Sequence, residues 1–409
     1  MDKQAYFSIL KQLHDICRNN PSPKLVAMDA YNEIINFMYL RHLSDNDDSI
    51  DKQYNLKTLY EKYCTDEKVE YDLENKKYNK FNCQGGNRKE LFFEKLSEEL
   101  LPGLNDNARN GNIAFTKIMN QHLKAIQVDV GRLTNIMHKD EGSSIEDGGQ
   151  KAQKLINKIY SENFLPINDE GKFDMGLFPY DAVGEGFEKF MSDAGASGGN
   201  WGQYFTNPQI IEWIFENVKA EPHHKVIDPF AGSGGFLLKA KQKFNIERNN
   251  IEGHEYDDKI FKFLRFNANI ANLNPENMGK GDTYDFHNYL KDRENQYDRI
   301  YTNPPFGESI DILLSSKEIQ KFWNFMSVTS YTKQKMEEDS KKPIVRKKIK
   351  YTIKNSMGLA VYAIYKMLKP GGIAAFVTER GFLNNGTEEK KNTWQKKLRK
   401  EIIENCNVT

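Results

Sequence analysis

Val226–Ala240 reads VIDPFAGSGGFLLKA. A short strand-like run, an acidic residue, three glycines and a helical pattern follow one another within these fifteen residues. Glycine supplies positive φ and lets a ligand approach the backbone closely. The helix beginning beyond the glycines presents N–H groups that have no partner within it. The spacing of Gly232, Gly234 and Gly235 departs from GxGxxG, and no Gly-Lys-Ser/Thr follows, so neither the dinucleotide fingerprint nor the P-loop is matched. Glu255 ends the next strand candidate, about twenty residues on, where a carboxylate can accept both hydroxyls of a ribose. Alone, the first feature is compatible with a plain tight turn and the second with a surface acid. Together they point to a nucleoside-bearing cofactor without a pyrophosphate.

Downstream the same texture repeats. Asn250–Gly253 runs into HEYD and then a helical stretch, Lys259–Ala271; Arg299–Thr302 runs into NPPFG; Ile373–Val377 follows LKPGG. Strand, turn and helix in repetition predict an α/β domain with a parallel sheet. Ligands of such sheets bind outside the carboxyl ends of the strands, where all of these turns fall.

Asn303-Pro304-Pro305-Phe306 follows the strand candidate Tyr297–Thr302. Two prolines next to a sheet forfeit ladder bonds and stiffen the turn. The Asn303 side-chain oxygen and the Pro304 carbonyl can then accept both hydrogens of one –NH₂ group. Phe306 offers a face on which a planar base or amide can stack. A rigid turn with a filler phenylalanine is the bland alternative.

The rest of the chain sets bounds. At 409 residues it has room for two domains. Lys plus Arg equals Asp plus Glu, at 58 each, so a uniformly basic nucleic-acid binder is excluded and any DNA contact would have to come from a local patch. Lys341–Lys350 is the most basic stretch, equally compatible with phosphate contact and with a solvated loop. No run approaches the apolar length of a membrane helix, and the amphipathic N-terminus, MDKQAYFSILKQLHDI, lacks the pattern of a signal peptide. Cys17, Cys64, Cys83 and Cys406 are scattered without a CxxC pair, which argues against zinc and disulfides and for a reducing, cytoplasmic compartment. His254 and His287 lie near the motifs, but a lone histidine is more often structural.

Residues 1–165 read as mostly helical. In Val26–Leu43, Ala30, Ile34, Ile35, Met38, Tyr39 and Leu43 recur as on one buried helix face, with Asp29 or Ser22 placed to start it and Asp45–Asp48 to end it. Leu91–Leu101 and Ile113–Ile126 are further helix candidates, and EGSSIEDGG, within Asp140–Gly149, is the best linker candidate. The expected division is a helical N-terminal domain, 1–165, and a second domain, 166–409.

DPFAGSGG, HEYD, Gly281-Asp282, NPPFG and LKPGG, in this order, resemble the N6-adenine DNA methyltransferases, and most closely the modification subunit of type I restriction–modification systems. GQYFTNP, Gly202–Pro208, is similar to that family's GxYFTP segment, with Asn207 inserted. Tyr180–Met191 and Asp29–Asp45 resemble its acidic–aromatic helix and its N-terminal helical domain. The resemblance implies a Rossmann-like class I methyltransferase sheet preceded by an all-α domain. It implies that Asp228, Gly232, Gly234, Tyr204 and Thr206 hold the methionine part of S-adenosyl-L-methionine. Glu255 would bind the ribose and Asp282 the amino group of the cofactor's adenine, while Asn303, Pro304, Pro305 and Phe306 would hold the target base. The implied reaction is methyl transfer to adenine N6 in DNA, with no metal. The implied partners are DNA and specificity and restriction subunits, or a complementing C-terminal piece, because the sequence stops where the family's last strand and C-terminal helices are expected. A methyltransferase acting on a protein glutamine or an RNA base, and a non-catalytic assembly subunit, remain open alternatives.

Overall fold

The computed structural model describes residues 3–18, 27–46, 71–72, 77–78, 155, 158–159, 166–177, 184–186, 206–306, 309–314, 349–354, 356–384 and 393–409. The helix candidates Leu91–Leu101 and Ile113–Ile126, the candidate linker and most of the basic stretch lie outside them. The chain divides into two compact units, residues 1–201 with 265–271, and residues 202–264 with 272–409. No helix among the described residues is long and apolar enough to cross a membrane.

In the first unit, α1 (Lys3–Arg18) buries Tyr6, Ile9, Leu10, Leu13 and Cys17. Their three- and four-residue spacing puts them on one helix face. Helix α2 (Ala27–Asn46) departs from the expectation of a single buried face. Besides Ile34, Ile35, Met38 and Tyr39, it buries Asn36, Arg41 and His42. The reason is that the polar end of α2 anchors the segment 166–177. Asp45 accepts the Phe173 N–H at 2.9 Å, His42 Nδ1 accepts the Met175 N–H at 3.2 Å, and Asn46 donates to the Phe173 carbonyl at 2.6 Å. Arg41, fully buried, donates to the Ile159 carbonyl and lies over the Phe173 ring. Buried polar groups are tolerated when hydrogen-bonded in this way, and they read as surface positions in a hydrophobicity pattern.

The second unit is the predicted parallel sheet. Its strands are β1 (Val226–Asp228), β2 (Ile251–Glu255), β3 (Met278–Lys280), β4 (Tyr297–Thr302) and, after an inserted antiparallel pair, β7 (Leu368–Phe376). The inserted pair is β5 (Ser309–Leu314) and β6 (Ile349–Lys354). The spatial order is β3-β2-β1-β4-β7, with every neighbouring pair parallel. The chain moves outward from β1 through β2 to β3, then returns to lie on the other side of β1 as β4. That reversal makes the β1/β4 crevice a topological switch point, the place where open α/β sheets bind ligands.

Successive strand residues point to opposite faces, and both faces are covered. On one, Ile227 and Ile300 pack with Tyr289, Leu290 and Tyr297 against Ala363, Ile364 and Met367 of α5 (Ser356–Met367). On the other, Phe215 of α3 (Pro208–Asn217) meets Tyr301 edge-on at 4.8 Å, with Phe236 and Phe244 of α4 (Gly235–Phe244) close by. Each fully buried side chain of this kind contributes about 1.5–3 kcal/mol.

LKPGG proves to be part of β7 rather than a turn before it. Leu368 pairs with Tyr297, and the next partners are Ile373 and Arg299, so Lys369–Gly372 bulge out between them. Pro370 cannot donate a ladder bond, Gly371 takes φ +79°, and a Cβ on Gly372 would lie 3.0 Å from the Tyr297 carbonyl oxygen. Lys369 Nζ sits 3.0 Å from both Asp298 carboxylate oxygens and ties the bulge to β4.

Under the sheet lies a charged cluster. Glu252 accepts from Arg293 at 2.8 Å and from the Tyr297 hydroxyl at 2.5 Å, and pairs with His254 at 2.7 Å. Burial opposes its charge, but these partners outweigh it and hold the carboxyl at about 2. His254 also meets Tyr289 edge-on at 4.9 Å, which is the structural role expected for it. Gly279 stands opposite His254 in β3, and a Cβ there would come within 2.6 Å of the imidazole. Gly279→Ala is therefore expected to destabilise the chain by about 1–3 kcal/mol through overpacking. An unchanged thermal melt would show instead that the ring can give way.

Candidate functional site

The carboxyl ends of four strands carry the residues singled out from the sequence. Asp228 ends β1, Glu255 ends β2, Gly281-Asp282 follows β3, and Asn303–Phe306 follows β4. Tyr204 lies outside the described residues. Thr206 is half-buried and stands two residues before α3. Asn207, the insertion in the GQYFTNP segment, is the N-cap of α3, its side chain accepting the Gln209 N–H at 2.9 Å with Pro208 in the first turn. Asn207 thus has a capping duty that accounts for its residue type.

The glycine turn has the backbone conformation that its composition announced. Gly232 and Gly234 take φ +57° and +97°, a region that side chains rarely enter. A Cβ on Gly234 would also lie 3.0 Å from Leu264. Gly234 caps α4 without any side-chain bond, which leaves the first turn of that helix unblocked by a cap.

Glu255 faces this turn. Its Oε2 accepts the Gly232 N–H at 3.0 Å, and its Oε1 accepts those of Tyr256 and Asp257 at 2.8 and 2.7 Å. Sequence reasoning placed the carboxylate but missed this bracing role. Tyr256 was missed altogether. It is 71% exposed, and its own N–H is fixed by Glu255, so a bare aromatic ring stands at the rim of the site. The signal was available, since an aromatic residue directly after the acid at a strand end has no core to fill.

The loops are stitched to one another along this edge. The Ala231 N–H donates to the His254 carbonyl at 2.8 Å, and that of Gly281 to the Glu255 carbonyl at 3.1 Å. The Thr283 hydroxyl donates to the Pro229 carbonyl at 2.5 Å. Across the switch point the Thr302 hydroxyl donates to Asp228 Oδ1 at 2.6 Å. The Pro305 carbonyl accepts the Ser356 hydroxyl at 2.9 Å, a bond that does not use the carbonyl of Pro304.

Two features call for a ligand. Asp228, Glu255 and Asp282 are all held above the usual carboxylate range by burial, Asp228 at about 7. A ligand bearing positive charge and hydroxyl or amino donors would relieve all three. Separately, the Asn303 side-chain oxygen is buried and accepts no hydrogen bond among the described residues. A buried acceptor without a donor is rare and costs about 1–3 kcal/mol, so it calls for an explanation. Pro304 is buried beside it, and Phe306 is half-buried.

The family model of the N-6 DNA methylases matches residues 179–409. The methylase subunit of the type I restriction enzyme HindI of Haemophilus influenzae is 27% identical over 206 residues, covering 47% of this chain and 43% of that protein. The MjaIX methylase subunit of Methanocaldococcus jannaschii is 24% identical over 273 residues, covering 62% of this chain and 43% of that protein. The chain therefore spans less than half the length of these two relatives. Among solved structures, the methyltransferase subunit of a type I restriction-modification system from Streptococcus thermophilus aligns with a TM-score of 0.52 at 17% identity, covering 98% of this chain and 79% of that one. That likeness is one of fold, the class I methyltransferase sheet. Because the family model covers more than half of the sequence, from residue 179 to residue 409, the chain belongs to the N-6 DNA methylase family.

Proposed function

We propose that the chain transfers a methyl group from S-adenosyl-L-methionine to N6 of adenine in DNA, as the modification subunit of a type I-like restriction–modification system. The observation that carries this reading is the buried, unpartnered Asn303 oxygen beside two prolines, on the sheet edge that also bears Glu255 and the glycine turn.

The residues fit such a cofactor. Asp228 and the Gly232–Gly234 turn would take its methionine part, whose ammonium suits a buried carboxylate. Tyr204 and Thr206 would help hold the same end. Glu255 would accept the ribose hydroxyls, Asp282 the adenine amino group, and Tyr256 would lend its exposed face to the adenine ring. When bound, the cofactor supplies an already activated methyl group, so the protein has to orient rather than generate a strong base.

The target amino group is buried in duplex DNA, so the adenine must leave the stack. Asn303 Oδ1 and the Pro304 carbonyl would each accept one N6 hydrogen. These bonds draw the nitrogen lone pair out of conjugation and aim it at the methyl donor. They strengthen as N6 becomes tetrahedral and positive, which is where binding energy accelerates a reaction. Pro305 would keep the turn rigid, with its carbonyl held by Ser356, and Phe306 would stack on the flipped base.

Phe306→Ala is accordingly expected to weaken capture of the flipped adenine by about 1–3 kcal/mol, while Phe306→Trp keeps part of the activity. Methyl transfer measured against DNA concentration tests this; a variant with unaltered saturation and rate would remove Phe306 from the base pocket.

The balanced charge, 58 against 58, supports a chain that relies on partners to find its site. Alone it is expected to bind DNA weakly and without sequence preference, the specific mode appearing with a specificity subunit. A gel shift showing tight, site-specific binding by the isolated chain would contradict this.

A further inference from the structure

Thr302 is fully buried, yet it is polar and sits at the end of a strand whose neighbours Ile300 and Tyr301 are core residues. Its hydroxyl does not cap a helix. It reaches from β4 to β1 and donates to Asp228 Oδ1 at 2.6 Å. The other donor to Asp228, the Phe230 N–H, ends on the same oxygen at 3.1 Å. Both bonds thus end on Oδ1, so they fix the carboxylate without using Oδ2, which is left for a ligand. Thr302 is also the residue directly before Asn303. One side chain therefore links the strand end assigned to the cofactor with the turn assigned to the target base.

We propose that Thr302 is a positioning residue, whose hydroxyl orients Asp228 toward the cofactor's ammonium and thereby sets the cofactor in register with the Asn303 turn. The proposal rests on the methyltransferase reading of the site and adds to it a residue that touches neither cofactor nor base.

The titratable groups that face Asp228 among the described residues are Glu255 and Tyr289. Burial pushes the carboxyl of Asp228 up to about 7, Glu255 adds to that rise, and the Thr302 and Phe230 bonds oppose it. A raised carboxyl is protonated in the free protein below about 7, and a bound cation pulls it back to the charged form. Cofactor binding then expels a proton on the acid side, so affinity falls as pH drops through that range. Removing the Thr302 bond removes a group that favours the charge, so the fall should begin at higher pH.

The test is calorimetric titration of S-adenosyl-L-methionine into the full chain across pH 6–8, for wild type, Thr302→Val, Thr302→Ser and Asp228→Asn. Thr302→Val is expected to lower affinity at neutral pH about tenfold, as for one lost charge-assisted hydrogen bond. Its pH profile should move up, and Thr302→Ser should restore both affinity and profile. Should the valine variant fail to fold, Thr302→Ala carries the same expectation. Wild-type affinity and profile without the hydroxyl, alongside weakened binding by Asp228→Asn, would overturn the proposal and leave the site reading standing. Wild-type affinity in Asp228→Asn as well would overturn the reading on which the proposal depends.

Discussion

Asn303→Ala is expected to bind S-adenosyl-L-methionine like the parent chain and to transfer methyl groups roughly 10²–10³ times more slowly, the loss typical of removing one preorganised transition-state contact. The expectation follows from where the side chain sits. Its oxygen is buried and without a donor, so removing it breaks no bond that holds the fold together. Stability should stay level or rise, because an unpaired buried acceptor is a cost to the folded state. The contact it would make strengthens only as N6 gains positive charge, which places the loss on turnover rather than on binding. Cofactor affinity, melting temperature and single-turnover rate measured together separate these effects. A large fall in melting temperature would point to a structural role for the amide instead.

Glu255→Ala is expected to weaken cofactor binding by about 1–3 kcal/mol, the range for hydrogen bonds to a charged group. Unlike Asn303, Glu255 braces its surroundings, since it accepts the N–H groups of Gly232, Tyr256 and Asp257. The variant should therefore also melt earlier in the absence of cofactor. Glu255→Gln, which keeps one acceptor oxygen, should recover part of the stability while affinity stays low. Calorimetry showing unchanged affinity in Glu255→Ala would remove the residue from the cofactor site, whatever the melting temperature did.

The sheet was legible because its signals are local. β1, β2, β4 and β7 were each announced by a short run next to a turn signal, as at Gly232 and Gly234 with their positive φ, whereas β3, with only Met278, Gly279 and Lys280, carried no such signal. The same locality made Asp228, Glu255 and Asn303 readable as strand-end residues, and in a parallel sheet strand ends converge on one edge; Asp282 was placed by the family resemblance alone. What escaped the sequence depends on partners distant in the chain. That Arg41 and His42 are buried follows from contacts such as the Ile159 carbonyl and the Met175 N–H, more than a hundred residues away from α2. No periodicity along α2 carries that information. The Lys369–Gly372 bulge was hidden for a related reason, since it exists only as a mismatch with the register of β4. Thr302 looked like an ordinary strand threonine, and only the position of Asp228, 74 residues earlier, gives its hydroxyl a purpose. The separation of site geometry from site chemistry is also physical. The edge explains why a ligand binds there, while adenine N6 rests on one oxygen, one stiff turn and one aromatic ring.

The most direct test of that chemistry uses methyl-labelled S-adenosyl-L-methionine, the chain with its partner subunits, and DNA, protein and RNA offered together. After digestion to nucleosides and amino acids, the label should appear in N6-methyladenine from DNA, and Asn303→Ala should remove it while cofactor binding persists. Label on glutamine, on an RNA base or on cytosine, or an Asn303→Ala variant that methylates DNA at the wild-type rate, would contradict the account.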